Sequence, residues 1–199
     1  MIERIESLWA DCQRCPLHAL RQRVVIGTGP VPCDLMLIGE APGAEEDERG
    51  IPFIGKAGRL MRELGTEAGL DMSMDAYITN VCGCRPPQNR QPHDSEMVAC
   101  SPRLDALLQA VQPKAVLLLG STAFRALTGG NAPITRMRGT EMETGWTWKG
   151  KRSIIPAIPT YHPAYLLRVA DPKRKEEFIK DMKLASELAH GSRANTHSD

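Results

Sequence analysis

Apolar positions along the chain fall into short runs separated by amphipathic stretches. Four of those runs, "DLMLIG" (34–39), "AYITN" (76–80), "AVLLLG" (115–120) and "SIIPAIPTYHP" (153–163), read as buried strands. Each is bounded by turn residues and rich in apolar or β-branched side chains. Between them the period changes to that of a helix. Residues 56–68 carry Leu60, Met61 and Leu64 at helical spacing. In "STAFRALTGG", Ser121 suits an N-cap and Gly129 a helix stop. The stretch 94–110 is helical in pattern, with Pro102 expected to kink it or split it in two. Asp171-Pro172 reads as an N-cap followed by proline at the first helical position, and Phe178, Met182, Ala185 and Leu188 then form one apolar face.

Strands alternating with helices predict an α/β fold with a parallel sheet covered on both faces. In such sheets ligands sit beyond the carboxyl ends of the strands. The glycine-rich loop after the first strand, Asn80, Gly120-Ser121 and His162 would then converge on one edge. Residues 1–190 read as a single domain. The tail 191–199 has no apolar anchor and is expected to be disordered. No internal repeat is present.

Length and charge narrow the function. A chain of 199 residues can bury a substantial core. Its formal net charge of +1 gives no global attraction to a polyanion, so a nucleic-acid partner needs a local basic patch. No apolar run is long enough to span a membrane, and "MIERIESLWADCQRC" lacks the apolar core of a signal peptide. A cytoplasmic, nucleoid-associated location is the expectation.

Six cysteines are many for such a chain. Cys12-x-x-Cys15 can grip one metal from a single turn, and Cys84 and Cys100 lie across "CRPPQNRQPHDSEMVAC". Four thiolates suit tetrahedral zinc or an iron–sulfur cluster, and spacing does not choose between them. Cys82 competes with Cys84, and Cys33 reads as structural.

Taken in order, "CQRC", "LIGEAPGAEEDERGIPFIGKAG", "YITNVCGCRPPQNR" with Cys100, "LLLG", "ITRMRG" and "HPAYLLR" closely resemble the family 4 uracil-DNA glycosylases. These form the iron–sulfur branch of the uracil-DNA glycosylase superfamily. The match runs from Cys12 to about Arg168. The resemblance implies a three-layer α/β/α sandwich with a central four-stranded parallel sheet. It also implies a structural 4Fe–4S cluster on Cys12, Cys15, Cys84 and Cys100, where the residues alone leave zinc open. The implied reaction is hydrolysis of the N-glycosidic bond of deoxyuridine in DNA, leaving an abasic site, by a monomer with no diffusible cofactor.

Within that resemblance Phe53 stacks on the flipped uracil and Asn80 reads its Watson–Crick edge. His162 lies beside uracil O2, where negative charge develops on the leaving base. The turn Gly39, Glu40 and Ala41 brings backbone N–H groups to the base. The best-known branch of the superfamily has a water-activating aspartate where this chain has Ala41. Glu46 is therefore the first candidate to orient the water and Glu40 the second, with Asp47 and Glu48 as a solvated face or loop brace. Gly43 replaces a bulky aromatic used elsewhere to exclude thymine, so Glu46 or another loop residue would fill that space. For DNA, Leu166 or Leu167 is the expected wedge and Arg168 a phosphate contact. Arg85, Asn89 and Arg90, with Arg136 and Arg138, are candidate backbone contacts. Three rivals stand beside this reading: a protein that binds uracil-containing DNA without cleaving it, an enzyme acting on another deaminated base, and a zinc-stabilised nucleic-acid-binding module.

Overall fold

The computed structural model describes residues 2–148 and 151–191. Most of the tail predicted at 191–199 lies outside the described residues. All four predicted strands form: β1 (Leu35–Gly39), β2 (Ala76–Asn80), β3 (Ala115–Leu119) and β5 (Lys151–Thr160). They pair in parallel, β2 on β1, β1 on β3 and β3 on β5. A fifth strand, β4 (Met142–Trp148), pairs antiparallel with β5 and corrects the four-stranded sheet. The order is β2-β1-β3-β5-β4. "METGWTW" escaped notice because glycine and polar residues interrupt its apolar positions, the pattern of an edge strand rather than a buried one.

Alternate residues of the central strands feed two cores. Leu35, Leu37, Leu117 and Leu119 pack with α3 (Lys56–Glu67) and α8 (Pro172–His190). Met36, Ile38, Val116 and Leu118 face α4 (Asp94–Val111), α1 (Ile2–Trp9) and α5 (Ser121–Thr128). Burial on both faces is why these strands read as unbroken apolar runs. The predicted apolar face of α8 holds, with Phe178, Met182 and Ala185 buried and Leu188 packed against them. Its Asp171 carboxylate accepts the Lys173 N–H at 3.0 Å, as expected of an N-cap.

Helix α4 continues through Pro102 without splitting. Proline removes the bond that would reach the Val98 carbonyl, and the Ser101 hydroxyl donates to that oxygen instead, at 3.0 Å. Helix α5 begins at Ser121, and its N-cap is Gly120 at φ 90°, one residue earlier than predicted. Gly129 ends it in the left-handed region, as expected. Two short helices form where the sequence shows no helical period. They are α2 (Ala44–Arg49) inside the acidic run and α7 (Pro163–Val169) in "HPAYLLR"; between β3 and β4 lies the short α6 (Ile134–Met137). Both α2 and α7 are too short to show a period, but Glu45, Glu46 and Asp47 in the first turn of α2 complement its dipole.

Candidate active site

From β1 the chain goes to β2 on one side of the sheet, and from β3 it goes on to β4 and β5 on the other, so the crevice forms at the carboxyl ends of β1 and β3. There lies a cavity of about 530 Å³, walled by Glu40, Glu46, Phe53, Asn80, Gly120 and His162 among others. The convergence predicted from strand ends is therefore observed. Each residue arrives for a local reason. Asn80 is the last residue of β2, and His162 follows β5 as the N-cap of α7. Gly39 ends β1 so close to the other two walls that a Cβ would overlap the Phe53 ring and the Asn80 side chain.

Phe53 sits at φ 54°, a conformation uncommon for a phenylalanine. Two contacts hold it. Gly58 on α3 packs against its carbonyl so tightly that no side chain fits there. Glu46 Oε1 accepts the next two backbone N–H groups, Ile54 at 3.0 Å and Gly55 at 2.8 Å. The ring faces His162, with centroids 6.0 Å apart and planes tilted by 34°.

Asn80 is only 2% exposed, and its Oδ1 has no hydrogen-bond donor among the described residues. A buried amide oxygen without a partner is costly, and here it marks a place kept for a ligand donor. His162 Nδ1 accepts the Ala164 N–H at 3.2 Å. In the neutral ring the proton therefore sits on Nε2. Burial, helped by the nearby Arg168 charge, lowers the His162 pKa to about 4, so the ring is neutral near pH 7.

The two candidate carboxylates are held differently. Glu46 leaves Oε2 beside Gly43, 2.7 Å from where a Cβ would stand, so it fills the space that the missing aromatic side chain leaves. Glu40 accepts from the buried Thr122 hydroxyl, and Gln91 Nε2 donates to that hydroxyl at 2.8 Å. Sequence reasoning missed Thr122 and Gln91, since nothing local in the chain links them to Glu40. Asp47 is a brace: it is buried and accepts the Gln22 and Arg23 N–H groups, while Glu48 is exposed. Ala41 lines the cavity as expected.

The predicted DNA contacts divide. Leu166 is 1% exposed and belongs to the core under α3 and α8, which removes it as a wedge; Leu167, at 45%, remains. Arg138 is likewise corrected. Its guanidinium is bound to the buried Asp181 and donates to the Glu177 carbonyl at 2.9 Å, tying it to α8. Arg90 forks both oxygens of Glu96 at 2.8 and 2.7 Å, although it still borders the cavity. Arg85 holds Asn89 Oδ1 at 2.7 Å, and Arg136 and Arg168 are exposed.

The cysteines gather on the α4 side of the site. Cys12 follows α1, Cys15 caps a short turn at Pro16–Ala19, Cys84 follows β2 and Cys100 rides on α4. None is in a disulfide. Burial, and then the charges of Cys100 and Cys12, raise the Cys15 pKa, and burial pushes Cys84 up to about 11. Cys82 hydrogen-bonds to Cys100, and this bond, with the Arg103 charge, lowers the Cys100 pKa against the effect of burial. N–H groups point at the sulfurs: Gly83 and Arg103 at Cys100, 3.3 and 3.4 Å away, and Arg21 at Cys84, 3.7 Å away. Among the described residues, no group of three or more His, Cys, Asp or Glu side chains is arranged to hold a metal ion as it stands. The thiols are unbridged, and the amide and guanidinium donors at Cys84 and Cys100 are of the kind that suits thiolate ligands.

Among the described residues no helix is long and apolar enough to cross a membrane. Comparison with known proteins places this geometry. The family described as the uracil DNA glycosylase superfamily matches residues 26–183. A type-4 uracil-DNA glycosylase of Thermotoga maritima is 37% identical over 186 residues, covering 93% of each chain. One from Sulfurisphaera tokodaii is 37% identical over 94% of this chain and 84% of its own. A third, from Saccharolobus solfataricus, is 39% identical over 78% of this chain and 72% of its own. With these similarities covering most of the chain, the protein belongs to the uracil-DNA glycosylase superfamily, among its type-4 enzymes.

Proposed function

We propose that this protein removes uracil from DNA by hydrolysing the N-glycosidic bond, and that it acts as a monomer. The observation that carries the reading is the buried, donorless Oδ1 of Asn80 beside the Phe53 ring. Uracil offers N3–H as a donor and O4 as an acceptor, which match the asparagine oxygen and NH₂. Cytosine reverses both groups, leaving buried polar atoms unpaired.

The target bond is out of reach inside a duplex, so the nucleotide is flipped into the cavity at a cost of about a few kcal/mol. Phe53 takes the base face, and Leu167 occupies the gap in the stack. Arg85, Asn89 and Arg168 hold backbone. As the bond breaks, the base leaves as an anion. The neutral His162 donates from Nε2 to O2, and a neutral donor aimed at developing charge needs no proton loss to act. Glu46 is the carboxylate best placed to orient water and to balance the cationic sugar, because its Oε1 is anchored and its Oε2 borders the cavity. Glu40, steadied by Thr122, is the second.

Cys12, Cys15, Cys84 and Cys100 would hold a 4Fe–4S cluster, whose contribution is to cross-link the N-terminal segment, the loop after β2 and α4. Zinc is the alternative, and a visible absorption spectrum separates the two. The function itself is tested with a labelled oligonucleotide bearing one uracil, incubated with protein and then treated with alkali. Strand breakage at the uracil is expected, and Asn80→Asp should weaken selectivity for uracil over cytosine. An intact strand would refute the reading.

A further inference from the structure

Arg103 belongs to neither the cavity wall nor the set of thiols, yet it touches the framework of both. It lies on α4, three residues after Cys100, and its side chain is wholly buried. The guanidinium donates from Nε to Cys100 Sγ at 3.4 Å and from Nη1 to the Ile26 carbonyl at 2.9 Å. From Nη2 it donates to the carbonyls of Asn80 and Val81, the latter at 3.2 Å. Among the described residues no carboxylate pairs with it. The guanidinium is planar, with its donors in a fixed fork. A shift at Cys100 is therefore passed to the end of β2 rather than absorbed. That strand end in turn grips the turn after β1, since Val81 N–H donates to the Gly39 carbonyl at 2.9 Å and Cys82 N–H to that of Glu40 at 3.0 Å.

We propose that Arg103 is a positioning residue: it converts order at the cysteine centre into the placement of Asn80 against the base. The inference rests on the base-reading role of Asn80 given above. Loss of the fork should leave the thiols in place but let the strand end drift, and a misplacement of about 1 Å costs on the order of a hundredfold in rate.

The test uses the metal-loaded protein and the variants Arg103→Lys, Asn80→Ala and the two combined. Iron content and visible absorbance are measured with single-turnover excision and amide hydrogen exchange. For Arg103→Lys, unchanged iron, excision down by about ten- to a hundredfold, and faster exchange at Val81 and Cys82 with Leu117 unaltered are expected. On the Asn80→Ala background the same change should cost less than about threefold, because residues acting as one unit are not additive. Full additivity, or unaltered exchange at Val81 and Cys82, overturns the proposal. Undiminished excision by Asn80→Ala alone would instead overturn the role of Asn80 itself. Should Arg103→Lys not fold, the wild-type side chain is read directly. Its Nε nitrogen-15 signal should shift on binding an oligonucleotide with uncleavable 2′-fluorodeoxyuridine, and not on binding the cytosine equivalent. Equal signals in both overturn the proposal.

Discussion

His162 shows how one residue's surroundings set its chemistry. Its ordinary pKa near 6.5 falls to about 4 because the ring is enclosed and Arg168 lies near. Between those values the unfolded chain binds a proton that the folded chain refuses. The stability this group supports is complete above about pH 6.5 and drains away as pH falls towards 4. Activity should follow the folded value. Single-turnover excision is expected to show no His162 limb between about pH 5 and 8, and an acid limb near 6.5 that vanishes in His162→Asn would contradict the neutral donor. The places of His162 and Asn80 were legible in the sequence from their strand ends, whereas Phe53 was picked out by the family resemblance. Thr122, Gln91 and Asp181 were not. Their partners are brought together by folding from 21 to 82 residues away, a separation to which local pattern is blind.

Among the elements, α7 separates two leucines that the chain sets side by side. Helical geometry turns Leu166 into the core and leaves Leu167 facing out. Leu166→Ala should therefore destabilise the fold by about 2–5 kcal/mol, measured by denaturant titration. Leu167→Ala should stay within about 0.5 kcal/mol of the parent. Its effect should appear as slower excision from duplex than from single-stranded DNA, where no gap needs filling. Equal losses on both substrates would remove Leu167 as the wedge. Long periodic helices and buried strands were readable from sequence because their burial writes a period. The edge strand β4 and the short α2 and α7 were not, since two turns or one solvated face leave too little pattern.

At the scale of the whole molecule, a formal net charge of +1 supplies no field that draws DNA from a distance. With Arg138 and Arg90 held by carboxylates, Arg85, Arg136 and Arg168 are the candidate phosphate contacts that remain. Affinity for a uracil-bearing duplex should then fall with log salt at a slope of only about −2 to −4, corresponding to a handful of released counterions. A slope near −8 would point to a basic surface other than the one described. The sheet's rims carry a last consequence. Asn80 and His162 both emerge from strands near an edge, where backbone pairing ordinarily opens first. Each is hemmed: β4 runs along β5, and the Thr28 backbone exchanges hydrogen bonds of 2.9 and 2.8 Å with Ile78 of β2. Any fraying therefore begins in a border away from the cavity, and the two residues that line it stay in register while it breathes.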